Sequence, residues 1–357
     1  MSTKAAWLPF ALGLALGITT PPAVADTLAG SATLEPDSYF KGKAGGTFGK
    51  DATKILPASK RVAVTGFRVI FVTGNTIKAQ VRASYFGGVD RSGASSTMAV
   101  TLNGVDAAAL QGITDKAYAT FLEQLRAAGR EVVPVAEFQD FLAGVEVTPQ
   151  PYVKQVTLGY GKQTGMAYAP TGIPLWFTNW DMPWGDKGPF SQKNIRSQAA
   201  LSEKLGAITV APLIVVDFAQ MSSSGNRSGF LARSAEVGAT LALSVSGFST
   251  SLIRAEKTHS GIVTKGDDAS VALTQPFVSN LGFGDIQEVA KQDNAAVKNL
   301  FDTLGKGMGL LNAGGAATSR SDNIAVTNDQ AYSEAALDAL GTATGTFASW
   351  FAKYPAP

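Results

Sequence analysis

The stretch Ala207–Met221, AITVAPLIVVDFAQM, decides how the rest of the chain is read. It is almost wholly apolar, and its one charge is Asp217. Before it lies Ser191–Leu205, a helix-like run closed by Gly206. A short apolar run entered from a helix and a glycine predicts a strand buried on both faces of a sheet. The same order of helix, glycine and strand occurs upstream over Thr114–Val135. There Tyr118, Phe121, Leu122 and Leu125 recur at i, i+3, i+4 and i+7, which gives one apolar helix face. Thr114 is placed to cap that helix and Gly129 to stop it. Two such units, each after β-rich sequence, predict an α/β or α+β fold with a mixed sheet and helices packed on it.

Working outward, Arg61–Val72 is β-branched and aromatic and reads as a strand. Gly74-Asn75 reads as a turn, Ile77–Phe86 as a returning strand and Thr97–Leu102 as another. Downstream, Glu236–Ser246 (EVGATLALSVS) alternates apolar and small polar residues, with Ser251–Lys257 as its hairpin partner and Ser270–Thr274 as a further strand. This predicts an antiparallel β region with one buried face. Asp285–Leu304 and Asn328–Lys353 read as helices. The second carries Tyr332, Ala336, Leu340, Phe347, Trp350 and Phe351 along one stripe.

The beginning of the chain reads as a secretory signal peptide over residues 1–25. Lys4 is followed by the apolar run Ala5–Ile18 and by Ala23-Val24-Ala25, a small-residue cleavage pattern. Asp26–Lys60, rich in Gly, Ser, Lys and Thr, reads as an extended or disordered lead-in. Residues 61–357 read as one α/β unit, with a division at 150/151 as the alternative. The chain has no cysteine, so its stability is expected to come from its core. Charged residues make up 16%, against about 25% in an average domain. The net charge of +2 gives no nucleic-acid footprint. These features place the chain in the periplasm or at the outer surface, with membrane association and homo-oligomerisation open.

The missing parts narrow the chemistry. With no cysteine and a single histidine, His259, cysteine nucleophiles, Cys-ligated zinc and His-rich metal sites are excluded. No G-x-S-x-G elbow supports a triad through His259, which sits in a polar Thr-His-Ser-Gly turn. The glycines before Lys50 and the run Gly159–Gly165 both fail the phosphate-loop spacing. Asp267-Asp268 lacks the calcium-loop pattern. No cofactor or metal is expected. The best candidate ligand site is a Trp-rich loop, with Trp176, Trp180 and Trp184 beside Asp181 and Asp186. Aromatic platforms beside acids suit a glycan, and a carboxylate pair suits glycoside hydrolysis. The same tryptophans can instead plug a hydrophobic gap beneath the loop.

The run RVAVTGF … ITDKAYATFLEQLRAAGREVVPVAEF, over about 61–141, resembles the amino-terminal domains of the TolB and curli-secretion (CsgG) families. It shares their order of strand, leucine-bearing helix and Val-rich strand. The chain lacks the lipidated cysteine of the curli channel and the carboxy-terminal propeller of TolB, and no functional residue carries over. The resemblance implies an envelope binding or assembly role without catalysis, with an envelope protein or a glycan as partner. A carbohydrate-active hydrolase using the Trp-rich loop is the alternative. A second alternative is an oligomeric outer-membrane pore that uses Glu236–Ser246 as a membrane strand, since about ten residues suffice to cross.

Overall fold

Pro212 divides the apolar stretch in two. In the computed structural model Ile208–Val210 is one strand and Leu213–Asn226 a second. Proline has no N–H to give to a ladder, so pairing lapses; both strands keep Ser234–His259 on one side, while Arg68–Val81 replaces Arg61–Val64 on the other. The structure describes residues 34–44, 51–81, 84–86, 89–91, 94–159, 161–178, 181, 183–185, 193–226, 234–289 and 317–357. Glu35–Pro357 forms one compact unit. The signal-peptide expectation over residues 1–25 lies outside the described residues.

In chain order the strands are β1 (Phe40–Ala44), β2 (Arg61–Val64), β3 (Arg68–Val81), β4 (Ser84–Phe86), β5 (Val89–Arg91), β6 (Ala94–Asn103), β7 (Glu131–Val132) and β8 (Tyr152–Leu158). They continue with β9 (Gly161–Tyr168), β10 (Ile208–Val210), β11 (Leu213–Asn226), β12 (Ser234–His259), β13 (Ile262–Leu273), β14 (Phe277–Val278), β15 (Gly284–Glu288) and β16 (Ala317–Thr327). The described helices are α1 (Pro36–Tyr39), α2 (Ala52–Ile55), α3 (Ala107–Ala127), α4 (Gln139–Gly144), α5 (Lys193–Leu205) and α6 (Asp329–Lys353). All strands except the β4–β5 pair join one sheet of 14 strands. The sheet is mixed. β10 is parallel to β2, β11 to β3, β16 to β6 and β7 to β2, while the remaining pairs are antiparallel.

The sheet forks along β3. Arg68–Phe71 pairs with Leu213–Val216, whereas Gly74–Val81 pairs with β6 on the same side. β9 runs along the other side of β3 past both partners. At the fork β11 leaves β3 through register shifts beside Val216 and between Asp217 and Ala219, and goes on with β12 to Asn226. Two β arms result: the outer half of β3 with β6, and the outer half of β11 with the start of β12.

Helices cover both faces. Ser251 and Ile253 of β12 turn to α5, while Phe248 turns to Phe347 of α6, as alternation along a strand requires. α3 starts at Ala107 under an Asp106 cap, whose carboxylate accepts from Ala109 N at 2.7 Å. Thr114, expected as the cap, lies inside the helix and donates its hydroxyl back to Leu110 O. α6 matches the aromatic stripe, with Asn328 capping Ala331 N and Phe347 at the centre of Phe40, Phe121, Phe248, Trp350 and Phe351.

Several local expectations differ. Glu35–Ala44 and Asp51–Ser59, within the expected lead-in, are folded. β1 pairs with β13, and Phe40, Ile55 and Leu56 are buried. Their elements are three to five residues long, too short for periodicity to show. Glu35–Ala44 is clasped to α6: Trp350 Nε1 donates to Asp37 at 2.7 Å, and Lys353 pairs with both Asp37 and Glu35. Gly74-Asn75 is not a turn but part of the continuous β3. Ser251–Lys257 continues β12, whose hairpin partner is β13. The chain reverses there at Ser260 and Gly261, both with positive φ, a conformation glycine accepts freely. Gly284–Glu288 is a strand where a helix was expected to begin, and residues 290–316 lie outside the described residues.

Candidate functional site

The Trp-rich loop comes down onto Arg68, the first residue of β3. Trp176 is completely buried. Its ring Nε1 donates to Thr65 O at 3.2 Å, and it meets Phe141 edge-on. Gly66 lies under the ring, where a Cβ would come within 2.9 Å of the indole. Trp184 is also buried and packs with Ile70, Phe177 and Leu213. Asp181 Oδ2 accepts from Arg68 Nη1 at 2.6 Å, from Thr178 N at 2.5 Å and from the Thr178 hydroxyl at 2.9 Å. Trp180 and Asp186 lie outside the described residues. Three of the five candidate residues are therefore brought together, and the structure gives each a packing or pairing partner inside the protein.

Arg68, which the sequence reading did not single out, is the hub. Besides Asp181, its guanidinium donates to Trp176 O at 3.0 Å, to Pro212 O at 3.3 Å and to Ala211 O. It also lies over the Trp176 ring, 5.1 Å from the centroid, a cation–π position. A planar fork of donors suits this mixture of carboxylate and carbonyl partners. The available signal was one cation inside an otherwise apolar run, RVAVTGFRVIFV.

Beside this hub a cleft of about 500 Å³ opens between Arg68, Asp181 and the β1–β13–β12 part of the sheet. Its floor carries Lys41, Lys43, Ser249 and Ser270. Lys41 and Lys43 fall in the segment read as lead-in; their i, i+2 spacing was the signal that they share one face of a strand.

Asp217 stands at the fork. It accepts from Asn75 Nδ2 of β3 at 2.7 Å, from Gln163 Nε2 of β9 at 2.7 Å and from Ala219 N at 3.2 Å. One carboxylate thus ties together three strands where they part. Burial raises its pKa, and the hydrogen bonds from Ala219, Asn75 and Gln163 oppose the rise. Tyr332 of α6 is fully buried nearby, and burial, with Asp217 adding to it, pushes its phenol far up.

His259 is exposed at the end of β12. Among the described residues no cluster of three or more His, Cys, Asp or Glu side chains could hold a metal. Asp267 and Asp268 lie within β13 rather than in a turn. Burial, helped by the neighbouring Asp267 charge, raises the Asp268 carboxyl to about 6 from 3.8. A carboxyl raised in the folded state adds stability that is complete below about 3.8 and is lost as the pH climbs through about 6. Asp268→Asn is therefore expected to be more stable than the parent at pH 8 and to lose that advantage at pH 3.5. Urea midpoints of both chains at the two pH values check this, and an equal offset at both would contradict it.

No family model matches the chain, and neither a curated protein nor a solved structure matches it.

Proposed function

We propose that this chain is an exported, non-catalytic envelope protein that acts by assembly, contributing its two β arms to a β-lined oligomer in a membrane. The observation that carries the reading is the matched alternation of the arms. In the β11–β12 arm the register sets Gln220, Ser222 and Ser224 opposite Thr240, Gly238 and Glu236. The other face carries Ala219 and Met221 opposite Leu241 and Ala239, followed by Ser223 opposite Val237. In the β3–β6 arm Ile77, Ala79 and Val81 lie opposite Met98, Ser96 and Ala94, while Thr76, Lys78 and Gln80 lie opposite Ala99, Thr97 and Ser95.

Each arm thus has one mainly apolar and one mainly polar face, the pattern of strands that divide lipid from an aqueous lumen. No described helix is long and apolar enough to cross a membrane, so crossing in this reading falls to strands. In the present conformation Ala79, Val81 and Ala94 are buried, and β12 lies against both β3 and β6. The apolar face of the β3–β6 arm is thus largely sheltered and that of the β11–β12 arm half-buried, which suits a form that precedes insertion. The resemblance of 61–141 to envelope assembly modules points the same way.

The absence of cysteine makes the test direct. Single cysteines placed along Glu236–Leu241 and labelled with an environment-sensitive dye are mixed with lipid vesicles. Val237→Cys, Ala239→Cys and Leu241→Cys are expected to report transfer to an apolar medium, while Glu236→Cys, Gly238→Cys and Thr240→Cys stay in water. A response without a period of two, or none in any position, sinks the proposal.

A further inference from the structure

We propose that the cleft between β1 and Arg68 is a binding site for a small molecule carrying two anionic groups, phosphate or carboxylate. The inference does not rest on the membrane reading, because the cleft lies on the core part of the sheet, on the near side of the fork.

The strand register builds the site. Lys41 on β1 is opposite Ala272 on β13, and Ala272 is opposite Ser249 on β12. Two residues further along, Lys43 is opposite Ser270, which is opposite Ser251. Directly opposed residues share a face, so the floor is a grid of two rows, each running from a lysine at the sheet edge to a serine inside. The face is fixed by Ser251, whose hydroxyl donates to Gln198 of α5 at 2.9 Å. Gly42, between the lysines, turns the other way, against Ala52 of α2.

The two ammonium stems start about 7 Å apart along the strand. Both lysines are exposed, and among the described residues neither ammonium has a hydrogen-bond or ion-pair partner. The Ser249 and Ser270 hydroxyls are likewise without one among the described residues. Across the cleft the only carboxylate in the lining among the described residues is Asp181, held by Arg68 at 2.6 Å. The cleft therefore offers two free cations and two free hydroxyls, and its one acid is already neutralised. A ligand there is selected for negative charge at two points and for hydroxyl acceptors between them. The volume of about 500 Å³ lies in the usual range for small-molecule sites.

Lysines on an edge strand also discourage strand pairing between molecules. The two roles separate in titration calorimetry of the full chain with inorganic pyrophosphate and with linear dicarboxylates, at constant ionic strength. Saturable binding of at least one anion is expected. Lys41→Gln/Lys43→Gln should weaken it about ten-fold or more, Ser270→Ala should weaken it less, and Lys41→Arg/Lys43→Arg should retain it. Preference for pyrophosphate marks a phosphorylated ligand, and preference for a dicarboxylate marks a carboxylated one. No saturable heat with either anion overturns the proposal. So does unchanged affinity in the double Gln variant. Should that variant melt early without anion, Ser270→Ala and the double Arg variant decide: retention in the arginine pair with measurably weaker binding in Ser270→Ala supports the site, and any other pattern overturns it.

Discussion

Replacing Arg68 with methionine is expected to lower the unfolding free energy by about 3–5 kcal/mol. The side chain is buried together with Asp181, so methionine leaves a carboxylate in the interior with no counter-charge. It also strips a donor from the carbonyls of Trp176 and Ala211, buried acceptors that cost about 1–3 kcal/mol each when left unpaired, whereas Pro212 O keeps the backbone N–H of residue 68. Removing both charges, in Arg68→Met/Asp181→Leu, is expected to recover part of the loss. The Asp181 penalty disappears, while the carbonyls remain short of a donor. Urea unfolding of the two single variants and the double variant closes the cycle. If the double variant is no more stable than Arg68→Met, the ion pair is not the centre of this region.

Trp176→Ala is expected to cost about 3–5 kcal/mol, the usual range for emptying a fully buried indole site. The ring shares an apolar cluster with Ala63, Val133, Phe138 and Phe141, Phe141 meets it edge-on, Arg68 lies over it, and its N–H holds Thr65 O. The measurement also separates the two readings of the Trp-rich loop. A core residue loses stability when truncated. A glycan platform loses a glycan-dependent fluorescence change and keeps its urea midpoint. The second outcome would overturn the packing assignment given to Trp176.

What was legible in the sequence is what repeats over many residues. The stripe from Tyr332 to Phe351 is long enough for its period to count, and it is a helix with its apolar side buried. The mixed sheet with helices on it followed from the recurrence of helix, glycine and strand. Short elements were not legible: β1 and α2 each give a few residues, and their burial depends on β13 and α6, more than two hundred residues away. Continuity also misled. Gly74-Asn75 has turn chemistry, yet Asn75 is held extended because its amide serves Asp217 across the fork. Arg68 could be seen in the sequence as an oddity, but its role needs four partners drawn from the chain between Trp176 and Pro212. For the cleft, the lysine spacing was visible and the serines opposite it were not, because register is a property of pairing and not of either strand alone.

The clasp between Glu35, Asp37 and α6 has a bearing on how the molecule comes to be folded. Phe40 reaches its partners Phe347 and Trp350 only when α6 is present, and β1 pairs only with β13. The segment Glu35–Ala44 therefore has no strand to pair with until β13 is made and no helix to close on until α6 is made, and long-range closures of this kind are slow. A chain that crosses a membrane as an extended thread benefits from such a delay. Under the export proposed above, closing Phe40 on α6 would hold back this part of the core until α6 has passed.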